Sequence, residues 1–432
     1  MRCVGSVLFR LLLVFVGRVF GHGWFLSRGT SIRDEDAVGG DVFELSEAGA
    51  LIPVTTHVPA AWKHCACIHR PTYTKWSIGM AEKQIKIEAV DLYCGAGGLT
   101  CGLQQAEIKV LAGVDIAADC KYAFEKNNAS TFIEKDVKKI KGTDLKKLFS
   151  PNAVKVLAGC APCQPFSTYT NGAKASTHSK WGLLRQFERL IRELKPEIVT
   201  MENVPQLADH KPFAEFLAAL EELKYSVAWD VVNCADFGVP QQRKRLVLVA
   251  SRLGEIELPK KTHEKSWVSV KTAIGLLPKI SAGGQSSDDT LHRSCTLSPI
   301  NTLRIRASKP GGSWSDWPET LVAKCHKKEK GKTFRSVYGR MKWEEPAPTM
   351  TTLCFGFGNG RFGHPEQNRA ISLREAAIFQ SFPRDYAFTE TVQDINFRRV
   401  GRMIGNAVPP GLGAAIGSVI AKHVRANTKK SA

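Results

Sequence analysis

Ile85–Leu99 reads IKIEAVDLYCGAGGL. IKIEAVDLY has the apolar content of a strand, and CGAGGL is a glycine turn. In open α/β sheets, ligands sit beyond the carboxyl ends of strands, where glycines such as Gly95, Gly97 and Gly98 let backbone approach them. The G-x-G-G spacing is not the dinucleotide G-x-G-x-x-G, and a plain tight turn reads the same way. The neighbouring segments therefore carry the argument. VLAGVDI is a second strand, and CKYAFEKN begins a helix. VKVLAG is a third strand. Leu183, Phe187, Leu190, Ile191 and Leu194 then mark one helical face. Pro196 stops that helix, EIVTMENV supplies a fourth strand, and LVLVA, at 246–250, another. Strands alternating with helices predict an α/β fold: a mostly parallel, Rossmann-like doubly wound sheet covered on both faces.

After about Ser251 the character changes. Residues 255–345 are rich in Gly, Pro, Ser, Lys and Trp with weak periodicity, which predicts a smaller, irregular domain. A helix returns at SLREAAIFQSF. GNAVPPGLGAAIGSVIAKHV reads as a turn followed by an apolar helix, and RANTKKSA as a frayed tail. The expected division is an N-terminal extension at 1–79, a large cofactor and catalytic domain at 85–254, a small domain at 255–397, and a segment returning to the large domain at 398–425.

The 432 residues carry a formal net charge of +19, which favours a polyanionic partner, nucleic acid first. Twelve scattered cysteines are too sparse for a disulfide scaffold and fit a reducing compartment. The opening MRCVGSVLFRLLLVFVGRVFGHGW has the outline of a poor signal peptide or short anchor, but Arg10 and Arg18 break its apolar run. His64, Cys65, Cys67 and His69 in HCACIH are too tightly spaced for a zinc site with no second cluster. MAEKQIKIEAVDLY, from Met80, looks like a natural start. The expectation is an active, intracellular protein beginning there, with no membrane role and no metal.

Asp115 ends the second strand, 24 residues after Asp91, where an acid can accept both hydroxyls of a ribose. Asp136 follows where a further short strand could end, placed to accept from an adenine amino group. Each acid also reads as a solvated turn residue. A glycine turn with two strand-end acids describes an adenosine pocket without a phosphate cradle. That suits S-adenosylmethionine.

LAGCAPCQPFS, Leu157–Ser167, places Cys160 and Cys163 three apart. No second Cys-x-x-Cys lies nearby to complete a zinc site. Pro165 and Ser167 suggest a loop rather than the helix N-terminus a redox pair would use. A nucleophile on a stiff loop remains: Cys163, between Pro162 and Pro165, with Cys160 as packing at the strand edge. Glu202 ends the next strand, 39 residues on, at the same sheet edge; a cap or ion pair reads equally well there. Arg243 and Arg245, two apart at a strand entrance, share a face. They read as a solvated basic edge or as a grip on a phosphate or base carbonyl.

Together these residues resemble the DNA cytosine-5 methyltransferase family, in the family's order from about Ile87 to Val424. DLYCGAGG resembles its cofactor motif, APCQPFS its nucleophile motif, ENV its acid motif and QQRKR its Gln-x-Arg-x-Arg motif. YGRMKWEEPAPTMTT, SLREAAIFQSFP and GNAVPP resemble later motifs. Tyr93 stands where the family often has Phe, and residues before Met80 have no counterpart. The resemblance implies methyl transfer from S-adenosylmethionine to C5 of a cytosine flipped out of a specific duplex sequence. The Cys163 thiolate would add to C6, Glu202 would hold N3 and supply the proton, and Arg243 and Arg245 would stabilise the ring carbonyl or hold the loop. The cofactor would be bound by Leu92, Tyr93, Cys94, Gly95, Ala96, Gly97, Gly98, Leu99, Asp115, Ile116, Asp136, Val137, Pro162, Asn406 and Val408. The loop STYTNGAKASTHSKWG would close over DNA. Residues 304–342, with eleven Lys or Arg against three Asp or Glu, would belong to the target recognition domain. Trp314 and Trp317 read equally as core or as DNA contacts. The resemblance also implies a monomer, with a companion restriction endonuclease as a further partner. A tRNA cytosine-5 methyltransferase and a catalytically silent DNA-binding relative are the alternatives.

Overall fold

The computed structural model describes residues 85–162 and 182–428, together with two short strands near the N-terminus. Residues 1–80 and 81–432 are two compact units. In the first, Phe43–Leu45 pairs antiparallel with Leu51–Pro53. The apolar run before Trp24 and the His64–His69 cluster lie outside the described residues.

The second unit is built on seven strands: β1 (Ile87–Leu92), β2 (Lys109–Asp115), β3 (Thr131–Glu134), β4 (Val154–Gly159), β5 (Ile198–Asn203), β6 (Ser226–Asn233) and β7 (Lys244–Ser251). Their order is β3-β2-β1-β4-β5-β7-β6. The first five run parallel, while β7 pairs antiparallel with both β5 and β6. The mostly parallel sheet expected from the sequence is present. The sheet also holds a strand that the sequence pattern does not signal, β6 (SVAWDVVN), a half-exposed edge strand without a clean apolar alternation.

Every residue of β1 and β5 is buried, so both sheet faces are covered. Successive side chains point to opposite faces. Val90, Leu92 and Leu157 pack with Phe187, Leu190 and Ile191 of helix α4 (Gly182–Leu194) and with Phe213 and Phe216 of α5 (Lys211–Glu222). Leu184, rather than the expected Leu183, joins that face; Leu183 is only partly buried. Both positions fit helical spacing from Phe187, and packing selects between them. On the opposite face Ala89, Val156 and Ala158 meet Leu99 and Leu103 of α1 (Gly98–Gln105) and Leu412, Ile416 and Ile420 of α10 (Pro410–Thr428). Each Val, Leu, Ile or Phe among them contributes about 1.5–3 kcal/mol on burial.

Helices α1 and α10 touch backbone to backbone. A Cβ on Gly98 would lie 2.2 Å from the Val408 carbonyl oxygen, and one on Gly102 2.3 Å from that of Pro410. The helical stretch Phe397–Thr428 is long and apolar enough to cross a membrane, but most of its apolar part is buried inside the protein, as in a core helix.

Between 297 and 370 a local core forms around Ile305, Trp314, Trp317, Phe357 and Ala370. Both tryptophans are core residues: Trp314 Nε1 donates to the Phe334 carbonyl and Trp317 Nε1 to Ser308 Oγ. Helices α8 (Leu373–Phe379) and α9 (Phe397–Asn406) instead share a core with Cys94, Ala96 and Phe124, on the side of the glycine turn.

Candidate active site

The parallel order brings the carboxyl ends of β2, β1, β4 and β5 to one edge. At the end of β1 the backbone turns through left-handed conformations at Tyr93 (φ 60°), Gly95 (φ 51°) and Gly97 (φ 90°). The two glycines adopt these without steric cost, whereas Tyr93 is held there against about 1–3 kcal/mol of strain. Its hydroxyl donates to the Leu183 carbonyl at 2.9 Å. A Cβ on Gly95 would meet nothing within 4 Å, so the turn borders open space.

Asp115 stands beside this turn. Its Oδ2 accepts from the Gly95 amide and its Oδ1 from the Ala117 amide, each at 2.9 Å. Each oxygen keeps a lone pair for a ligand. Next to it Ile116 is 70% exposed, an apolar surface suited to the flat face of an adenine. Asp136 Oδ1 accepts from the Lys138 amide and caps the short turn that begins at Val137. Val408 is buried with its carbonyl against Gly98, and Asn406 is exposed at the end of α9. Open space over Gly95, an acid with spare acceptors and an exposed isoleucine fit an adenosine moiety. Among the described residues no group of three or more His, Cys, Asp or Glu could hold a metal ion.

The second half of the site lies where β4 and β5 end. Glu202 is 3% exposed. The Cys160 thiol donates to Glu202 Oε2 at 2.9 Å, and Arg245 Nε lies 2.9 Å from Oε1. That contact is an ion pair without hydrogen-bond alignment, and Oε1 is a buried oxygen with no hydrogen-bond donor. The neighbouring Asn203 Nδ2 donates to the Ala161 carbonyl at 3.0 Å and pins the chain just before Pro162, which is exposed. Burial, then the Glu202 charge, push the Cys160 thiol well above its ordinary range, so it stays protonated. Cys163 and the loop to Trp181 lie outside the described residues.

The two arginines part company. Arg245 faces Glu202. Arg243 is 3% exposed and donates to the backbone carbonyls of Met350 (2.8 Å), Gly405 (3.0 Å) and Ala407 (3.4 Å). Burial and the neighbouring Arg245 lower its proton affinity.

A family model for the C-5 cytosine-specific DNA methylase matches residues 87–422. The chain belongs to this family. It is 50% identical to the Type II methylase M.HgiDII of Herpetosiphon aurantiacus, over 78% of this chain and 94% of that protein. It is 31% identical to the Type II methyltransferase M1.HphI of Haemophilus parahaemolyticus, over 77% of this chain and 86% of that one. Among solved structures, a putative DNA modification methyltransferase encoded within an E. coli prophage superposes with a TM-score of 0.59 at 21% identity, covering 78% and 99% of the two chains. A Spodoptera frugiperda DNMT2 variant gives 0.54 at 16%, covering 78% and 99%. These two likenesses describe the fold.

In this DNA cytosine-5 methyltransferase two residues at the strand ends make contacts that their sequence context does not signal. One is Cys160, read as packing. The other is Asp91, fully buried, whose Oδ2 accepts from Thr100 Oγ1 at 2.8 Å and ties β1 to α1. Burial pushes its carboxyl up to about 7. Its only sequence signal was an acid inside an apolar strand.

Proposed function

We propose that this DNA cytosine-5 methyltransferase binds S-adenosylmethionine at the β1–β2 edge and methylates a flipped-out cytosine held against Glu202. The observation that carries this reading is Glu202 itself: a buried carboxylate at a strand end, fixed from two sides, with Oε1 lacking a donor. A carboxyl there can bond the N3 edge of a pyrimidine. The cofactor would be held by the turn Leu92–Leu99, by Asp115 on the ribose, by Ile116 on the adenine face, by Asp136 and Val137 at the adenine rim, and by Pro162, Asn406 and Val408. It supplies an electrophilic methyl group.

Cys163 is the proposed nucleophile. Its thiolate forms a bond to C6 while Glu202, having taken up a proton from solvent, delivers it to N3, and the ring becomes electron-rich at C5. C5 would take the methyl as the methyl–sulfur bond breaks and N3 returns its proton to Glu202; water would then accept the C5 proton, and the electrons left behind would re-form the C5–C6 double bond as the C6–S bond breaks and Cys163 leaves as a thiolate. Arg245, paired with Glu202 in the resting site, balances the charge that Glu202 carries again once its proton has moved to N3. Arg243 holds the loops rather than the base. Flipping costs roughly a few kcal/mol, and the target base reaches the site only when extruded. Residues 255–345, with the basic stretch 304–342, are the proposed recognition region. Monomeric action in the cytoplasm is part of the same proposal, and a companion restriction endonuclease is added to it because the relatives named above are Type II enzymes.

The test is transfer of labelled methyl from S-adenosylmethionine to duplex DNA and to tRNA, with sequencing of the product. DNA methylated at C5 of cytosine in one sequence context is the expected result. Transfer to tRNA alone would overturn the DNA assignment. Cys163→Ser should abolish transfer, and wild-type enzyme should form a covalent adduct with 5-fluorocytosine DNA. Glu202→Gln should slow transfer by roughly 10²–10⁴-fold; a rate within twofold of wild type would remove Glu202 from the mechanism.

A further inference from the structure

Cys160 is a residue that the reaction scheme does not use. It follows β4 directly, and its side chain reaches across to the end of β5. The Cys160 thiol is the hydrogen-bond donor to Glu202 Oε2, at 2.9 Å. A sulfur–oxygen contact this short is close for a thiol donor. Glu202 Oε1 faces Arg245 Nε from the opposite side. The carboxylate is therefore gripped by one neutral donor from β4 and one cation from β7, and its plane is fixed between them. Without the thiol, Oε2 would be a buried oxygen with no partner, and rotation of the carboxylate toward Arg245 would be the simplest way to satisfy it. Such a rotation would turn Oε1, the oxygen left without a donor, away from its present direction.

We propose that Cys160 is a positioning residue for the reaction, holding the Glu202 carboxylate in the orientation that meets the target cytosine. This rests on the reading of Glu202 as the group that binds the base. A thiol suits the task because it donates one weak hydrogen bond and carries no charge. It orients the carboxylate without placing a second cation against it. The same surroundings keep Cys160 a thiol and so a donor, which also separates its role from that of the nucleophile.

The experiment compares Cys160→Ala and Cys160→Ser with wild type in steady-state methylation of a duplex substrate, with cofactor affinity measured by calorimetry. Cys160→Ala should lower kcat roughly 5–20-fold, an order-of-magnitude expectation for one lost buried hydrogen bond. Its cofactor affinity should remain within twofold, and KM for DNA should change less than kcat. Cys160→Ser, which keeps a donor, should recover most of the loss. Cys160→Ala at wild-type kcat would overturn the proposal. So would equal impairment of the Ser and Ala variants, which would show that sulfur volume matters rather than the hydrogen bond. Loss of cofactor binding in Cys160→Ala would assign the residue to packing and also overturn it. A double variant with Glu202→Gln should be no slower than Glu202→Gln alone; additive losses would mean that Cys160 acts elsewhere. Should wild-type enzyme transfer no methyl to cytosine, the failure would belong to the functional reading, since no comparison of kcat would then exist.

Discussion

Replacing Arg243 by methionine should destabilise the protein and weaken cofactor binding without removing any group that touches the base. The guanidinium donates to the carbonyls of Met350 and Gly405 at 2.8 and 3.0 Å, with a longer bond to Ala407. Methionine fills much of the same volume but donates nothing, so these acceptors lose their charged partner. A hydrogen bond from a charged group contributes about 1.5–3 kcal/mol. Two good bonds amount to about 3–6 kcal/mol. Relief from burying a cation offsets part of this, leaving an expected loss of about 3 kcal/mol in urea unfolding. Gly405 and Ala407 lead directly into Val408, whose carbonyl packs against Gly98 at the start of α1. Slackening that segment should raise the cofactor dissociation constant about tenfold. Arg243→Lys keeps the charge but cannot span three carbonyls, and should fall between the two. Urea unfolding and calorimetry with S-adenosylhomocysteine provide the measurements. A methionine variant with wild-type stability and cofactor affinity but a collapsed kcat would refute this reasoning and return Arg243 to the substrate.

Gly98→Ala should cost about 1–3 kcal/mol of stability, because its Cβ would fall 2.2 Å from the Val408 backbone oxygen, in the segment that leads into α10; an unchanged melting temperature would contradict the close approach described for α1 and that segment. Asp91 is protonated more readily in the folded protein, where its pKa rises from 3.8 to about 7. The folded state therefore binds more protons than the unfolded one between these values, and stability falls as pH rises through that window, by up to about 1.4 kcal/mol per unit. Asp91→Asn should flatten this slope in urea titrations at pH 5 and 8, and an unaltered slope would assign it to other groups. Neutralising Lys327, which pairs with Glu319 at 3.1 Å, together with Lys328, should weaken binding to all DNA sequences and reduce the log–log salt slope by about 1–2 if both reach phosphate. A change of methylated sequence instead would mean that one of them reads a base.

The chain's own order of residues determined the sheet's parallel half and the glycine turn. VKVLAG forms β4 over the six residues read as a strand, since a short apolar run after a turn has few other ways to hide its side chains. Gly95 and Gly97 were legible because left-handed backbone calls for glycine, but Tyr93 in the same conformation was not, since only the surrounding packing sustains it. The tertiary structure alone decided the rest. It placed β7 antiparallel between β5 and β6, although β6 precedes β7 in the chain. Two-residue spacing put Arg243 and Arg245 on one face; it took contacts from residues more than a hundred positions away to turn Arg243 toward Met350 and Gly405 and leave Arg245 to Glu202. Cys160 reads as an apolar residue at a strand edge until β4 and β5 lie side by side. Adjacent parallel strands end at the same height, so a thiol and a carboxylate 42 residues apart meet there as donor and acceptor.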